Sequence, residues 1–79
     1  MNKLYELPKL PRGIWEHYKG NRYQLIDVAY HSETLEPMVV YRALYGEGAL
    51  WVRPASMWCE AVTIDGKELP RFRLVEEQE

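Results

Sequence analysis

Only one cysteine, Cys59, occurs in the sequence, so no disulfide can form within a single chain. A lone thiol is the pattern of a reducing compartment, and the cytoplasm is the expected location. A dominant charge of one sign is also missing. Ten Lys and Arg face twelve Asp and Glu, a net charge of −2. That balance disfavours a nucleic-acid partner held by bulk charge. No apolar run approaches a membrane span, and the N-terminal residues hold no signal-like apolar segment, so no membrane partner is expected. Metal and phosphate motifs are lacking too. Two histidines and one cysteine stand apart with no C-x-x-C or H-x-x-x-H spacing, which makes a zinc site unexpected. Gly46-Glu47-Gly48 lacks the following lysine and helix of a phosphate loop. Ser32 has no G-x-S-x-G setting, so no catalytic nucleophile is assigned. No cofactor is expected.

What is present is aromatic: three Trp, six Tyr and one Phe in 79 residues. A chain this short forms one domain, near the size where a single core supplies only about 3–5 kcal/mol. Large rings are an efficient way to fill such a core.

The middle of the chain, residues 31–58, organises the rest. Residues 38–45 (MVVYRALY) and 49–53 (ALWVR) are β-branched and aromatic, and Gly46-Glu47-Gly48 between them reads as a three-residue hairpin loop. That loop pairs Tyr45 with Ala49, Ala43 with Trp51 and Tyr41 with Arg53 on one face. Leu44 with Leu50, Arg42 with Val52 and Val40 with Pro54 then share the other. If the aliphatic face is core, the Tyr41, Trp51, Arg53 face meets solvent or a partner. The competing arrangement makes this aromatic face the interior, with Arg53 reaching out at its rim. Pro54 cannot donate to a ladder, so the strand should stop there and a helical or 3₁₀ turn should follow over 54–58. Met57 and Trp58 would then plug the core.

The first eleven residues (MNKLYELPKLP) contain two Leu-Pro steps and should run extended or irregular, with Tyr5, Leu7 and Leu10 available to dock. Residues 14–18 (IWEHY) and 22–30 (RYQLIDVAY) read as strands around a Lys19-Gly20-Asn21 turn. In the second, the apolar phase moves from odd to even near Ile26-Asp27, which predicts a β-bulge or sharp bend. Asp65-Gly66 is a two-residue hairpin signal that pairs Val62 with Leu69, Glu60 with Arg71 and Cys59 with Phe72. Cys59 is thereby expected to be a small buried hydrophobe. Residues 73–79 (RLVEEQE) read as an acidic tail that frays. Five to six short antiparallel strands with one short helical turn, and turns about every eight to twelve residues, indicate an all-β barrel or roll. The domain divides as an extended arm over 1–12, a single β domain over 13–73 and a tail over 74–79.

Several motifs carry a family resemblance. They are His17-Tyr18-Lys19-Gly20-Asn21 followed by Tyr23, His31-Ser32-Glu33-Thr34, Val39-Val40-Tyr41 with Leu44-Tyr45, and Trp51-Val52-Arg53-Pro54. Met57, Asp65-Gly66-Lys67 and Arg71-Phe72 continue the series. Over residues 13–73 the chain resembles a bacterial family of small domains of unknown function, numbered 1653 among such families. The resemblance implies an SH3-like β-barrel and no established activity. The chain departs from the family in Ile14-Trp15-Glu16, in Trp58 where Phe is usual, and in its N-terminal arm.

The chemistry these residues offer is recognition. The reading is a non-catalytic binding module for a peptide, protein or nucleotide-like ligand, with Tyr41, Trp51 and Arg53 as contacts and His31 and Glu33 at the rim. A second class is a small hydrolase-like acid/base enzyme centred on His31 and Glu33. Against it stands the ordinary role of a polar loop, in which Ser32 and Thr34 hydroxyls satisfy backbone groups. A third class is a structural or oligomerising domain that uses the apolar N-terminal arm.

Overall fold

The computed structural model describes residues 6–78. Seven strands and one short helix follow in the order β1 (Gly13–His17), β2 (Arg22–Tyr30), β3 (Pro37–Ala43), β4 (Leu50–Pro54), α1 (Ala55–Trp58), β5 (Ala61–Ile64), β6 (Lys67–Pro70) and β7 (Phe72–Glu77). A five-stranded antiparallel sheet has the order β4-β3-β2-β1-β7, and β5 with β6 forms a separate two-stranded ribbon. The all-β expectation holds, with seven strands rather than five or six. Among the described residues no helix is long and apolar enough to cross a membrane.

Strand alternation sets the two faces. In β1, Trp15 is buried on the inner face, while Glu16 points outward and accepts from Arg22 at 3.1 Å and Arg73 at 2.8 Å. These two guanidiniums, Arg22 first, lower the Glu16 pKa and link β1 to both neighbours. The phase change in β2 is a bulge, as expected. Pairing with β3 shifts between Leu25 and Asp27, and the Asp27 carboxylate accepts from the Val28 N–H at 2.8 Å. The extra residue lets fully buried Leu25 and partly buried Val28 both pack on the core.

Pro54 ends β4 and α1 follows at once. Trp58 drops into the core at 1 % exposure, but Met57, expected beside it, is turned to solvent because one helical turn can aim only one of two successive residues inward. Cys59 is a correction as well. It caps α1 instead of entering a strand, its thiol is exposed, and Phe72 pairs with His17. Partial burial still raises the thiol pKa.

The expected fraying tail is instead a strand through Glu77. Residues 72–77 form β7, because β1 has a second edge to fill and Phe72 and Leu74 have a core to join. Of the N-terminal arm, Leu10 packs on the core and Pro11 C=O accepts from the Trp15 indole at 3.1 Å; Tyr5 lies outside the described residues.

The β5–β6 ribbon has the expected register, Val62 with Leu69, around Asp65 (φ 51°) and Gly66 (φ 78°). Both central residues are left-handed, as a type I′ turn needs. Glu60 and Arg71 clasp the open end, with a 2.9 Å ion pair and a backbone bond of 3.0 Å. Gly66→Val puts a β-branched residue in a left-handed conformation, at a cost of roughly 1–2 kcal/mol. A thermal midpoint lowered by several degrees is expected; an unchanged midpoint in a calorimetric scan would refute the turn.

Candidate binding site

The inner face of the sheet is an aromatic cluster. Trp58 and Phe72 stack in parallel, 3.8 Å between centroids and 3° between planes. Trp15 meets Trp58 edge-on at 5.8 Å, and Tyr41 lies against it at 5.1 Å. Tyr23 presents its edge to Tyr41, Tyr45 and Phe72 at 5.4 to 5.8 Å. Edge-on and offset contacts suit the ring quadrupole and add to the area buried.

This cluster corrects the hairpin in two ways. The register is Tyr41 with Trp51, Val40 with Val52 and Val39 with Arg53, two residues away from the expected one. The cause is Tyr45. It leaves the ladder to share a 3.0 Å hydrogen bond with the Tyr23 hydroxyl, so the connection is longer than Gly46-Glu47-Gly48. Burial and that bond push the Tyr23 pKa up to about 12. A two-residue shift preserves the faces, and their assignment is the second correction. Val39, Tyr41 and Ala43 are core, with Tyr41 only 7 % exposed, and Leu44, Leu50 and Val52 face out. Leu25 and the rings of Trp58 and Phe72 claim Tyr41's side of the sheet, as in the competing arrangement.

Trp51 sits opposite Tyr41 yet is 57 % exposed, because β4 is an edge strand with no further strand to cover it. Arg53, next on the same side, lies 5.4 Å over the Phe72 ring and bridges from β4 to β7 by a cation–π contact. The ion pairs among the described residues are Arg12–Asp27, Arg22–Glu16, Arg71–Glu60 and Arg73–Glu16, and the Arg53 guanidinium forms none of them. The structure thus brings Tyr41, Trp51 and Arg53 together, with Tyr41 as floor rather than contact surface.

His31 and Glu33 lie on the loop before β3. His31 Nδ1 accepts from the Glu33 N–H at 3.0 Å and the Thr34 N–H at 3.2 Å, so its lone pair shapes the turn. Thr34 Oγ1 accepts from the Glu36 N–H at 3.3 Å. No hydrogen bond joins the Glu33 carboxylate to the His31 ring among the described residues, as an acid/base pair would require.

The sequence reading placed none of His17, Tyr23 and Phe72 at the candidate site. His17 is the next inward position after Trp15, a signal that strand alternation carries. Its ring meets Phe72 at 5.0 Å and Tyr18 at 4.5 Å, and its Nδ1 accepts from the Lys19 N–H at 3.2 Å.

A family model described as a protein of unknown function, DUF1653, matches residues 13–74. The chain belongs to the DUF1653 family. A crystal structure of a DUF1653 protein from Bordetella bronchiseptica is similar to it, with a TM-score of 0.79 and 32 % identity over 90 % of this chain and 94 % of that one. No curated protein matches. The DUF1653 match takes in every inward ring of the cluster as well as Trp51 and Arg53, and it starts at Gly13, the first residue of β1. The description of DUF1653 names no activity, so no residue role comes with membership.

One electrostatic property of this DUF1653 domain is testable directly. Burial first, then Arg53, Arg71 and Lys19, lowers the His17 pKa. The unfolded chain therefore takes up that proton more readily than the fold does. The His17 contribution is intact above the unfolded value of about 6.5 and is lost as pH falls through it toward the lower folded value. Urea midpoints should decline from pH 7 to pH 5, and less steeply for His17→Phe. Equal slopes in the two proteins would dismiss the effect.

Proposed function

We propose that this DUF1653 domain is a non-catalytic binding module that takes an extended polypeptide along the β4 edge. One observation carries the reading. Leu50, Trp51 and Val52 are successive residues of an edge strand, each more than half exposed, while Trp15, Tyr41, Trp58 and Phe72 are buried. Exposed apolar edge strands are templates for a further strand, and proteins that do not use them guard them with charge. β4 has no such guard, since Arg53 leans over Phe72. Backbone hydrogen bonds would hold the added strand, while Trp51 and Arg53 select an aromatic or acidic side chain on it. Tyr41 supports Trp51 from below, and exposed Glu33 with His31 lies on the loop near the Pro54 end of the strand. A reducing, cytoplasmic setting fits the single exposed thiol.

The test is a phage-displayed library of linear peptides captured on the immobilised domain, counter-screened against Trp51→Ala. Trp51 is exposed, so the variant should melt within a few degrees of wild type. Captured peptides should lose about 1–3 kcal/mol of affinity, as expected for an anchor residue. Peptides that bind both proteins equally would sink the proposal.

A further inference from the structure

We infer that β4 also docks on β4 of a second copy of this chain, antiparallel about a two-fold axis through Val52. The inference rests on the edge-binding reading and names one occupant for that edge.

Backbone phase comes first. The Ala43 N–H donates to the Ala49 C=O at 3.1 Å, which makes 43 and 49 a hydrogen-bonded pair. In an antiparallel ladder such pairs alternate, so Tyr41–Trp51 and Val39–Arg53 are bonded pairs as well. The polar groups of Trp51 and Arg53 thus turn inward to β3. Those of Leu50 and Val52, with the Pro54 carbonyl, turn outward.

An axis at Val52 uses these free groups well. The two Val52 residues exchange both N–H to C=O bonds, and each Leu50 N–H donates to the Pro54 C=O of the other copy. Pro54 has no N–H to strand. Between these bonded pairs lie the two non-bonded positions, where side chains approach most closely. There Trp51 of each copy stands opposite the partner's Arg53, an indole against a guanidinium that forms no ion pair among the described residues. Val52 meets Val52, and Leu50 meets the Pro54 ring. The strand's one charge never faces itself.

Other two-fold registers serve less well. An axis at Arg53 would set the two guanidiniums against each other, and an axis at Trp51 would leave each Arg53 opposite Ala49 of the other copy, with no ring to meet. An axis at Leu50 runs into residues 47–49, which are not in a strand, and an axis at Pro54 runs into α1. The opposite edge of the sheet, β7, carries Arg73, Glu76 and Glu77, and it is guarded in the usual way.

The experiment is sedimentation equilibrium on the full chain over a wide concentration range, with three variants. Wild type should be a reversible dimer. Val52→Pro removes the two central donors without touching the β3 ladder, and it should sediment as a folded monomer. Trp51→Lys and Trp51→Glu differ only in the sign set opposite the partner's Arg53. The lysine variant should dissociate about tenfold more readily than the glutamate variant. Equal association of those two overturns the register, and a dimeric, folded Val52→Pro overturns the use of this edge. A wild-type monomer that still captures peptides through Trp51 overturns self-pairing alone. A wild-type monomer whose captured peptides ignore Trp51 overturns the edge reading with it.

Discussion

Trp58→Ala should leave no cooperative thermal transition. The indole is 1 % exposed and touches Phe72, Trp15 and Tyr41 at once, so its loss opens the centre of the cluster. A buried Trp→Ala change costs roughly 3–5 kcal/mol, and a core in a domain of this size supplies about the same. The two magnitudes cancel. α1 is a single turn with no side-chain cap at its N-terminus, so it has little reason to persist without its anchor. Trp58→Phe keeps one ring against Phe72 and should retain a transition at lower temperature. Near-ultraviolet circular dichroism during heating separates the cases, and a cooperative alanine variant with a near-native midpoint would remove Trp58 from the centre of the fold.

Gly13→Ala is expected to be nearly as damaging, through the backbone. Gly13 has φ +147°, and a Cβ there would lie 2.1 Å from the Glu76 carbonyl oxygen and about 3 Å from two further backbone atoms. None of these is a flexible side chain that could swing aside. Pairing between β1 and β7 shifts register at the next step, between Ile14 and Trp15, so Gly13 forms one end of an irregular crossing. Backbone strain of about 1–3 kcal/mol and a comparable overpacking penalty act together. The expected result is a large fall in midpoint, with amide exchange increased first along 75–77. Unaltered protection of β7 in Gly13→Ala would show that the crossing tolerates a side chain.

Much of the architecture was legible because local rules act alone at those positions. The parity change from Leu25 to Val28 has no strand solution other than a bulge, and Asp65-Gly66 and Pro54 act through their own backbone chemistry. The hairpin register was not legible. A hydroxyl contact from Tyr45 to Tyr23, distant in sequence, decided where the ladder ended. Likewise β7 looked like a tail because Glu76 and Glu77 dominate its composition. Its place comes from the vacant edge of β1, which only the folded sheet defines. At the candidate site, the grouping of Tyr41, Trp51 and Arg53 was readable from alternation. Which of them would be floor and which rim depended on β4 being an edge, a topological fact.

Placing β1 between β2 and β7 also fixes an order of events at the ribosome. β1 through β4 can pair as a meander as they emerge, each strand with its predecessor. The β1–β7 ladder, in which Gly13 faces Glu77, must wait until nearly the whole domain has been made. Closing such a distant pair is slow compared with forming a hairpin. During that wait the nascent sheet shows two bare edges, β4 and β1, and Trp15 lacks its β7 cover. Newly made chains are therefore most open to mispairing just before the last strand arrives.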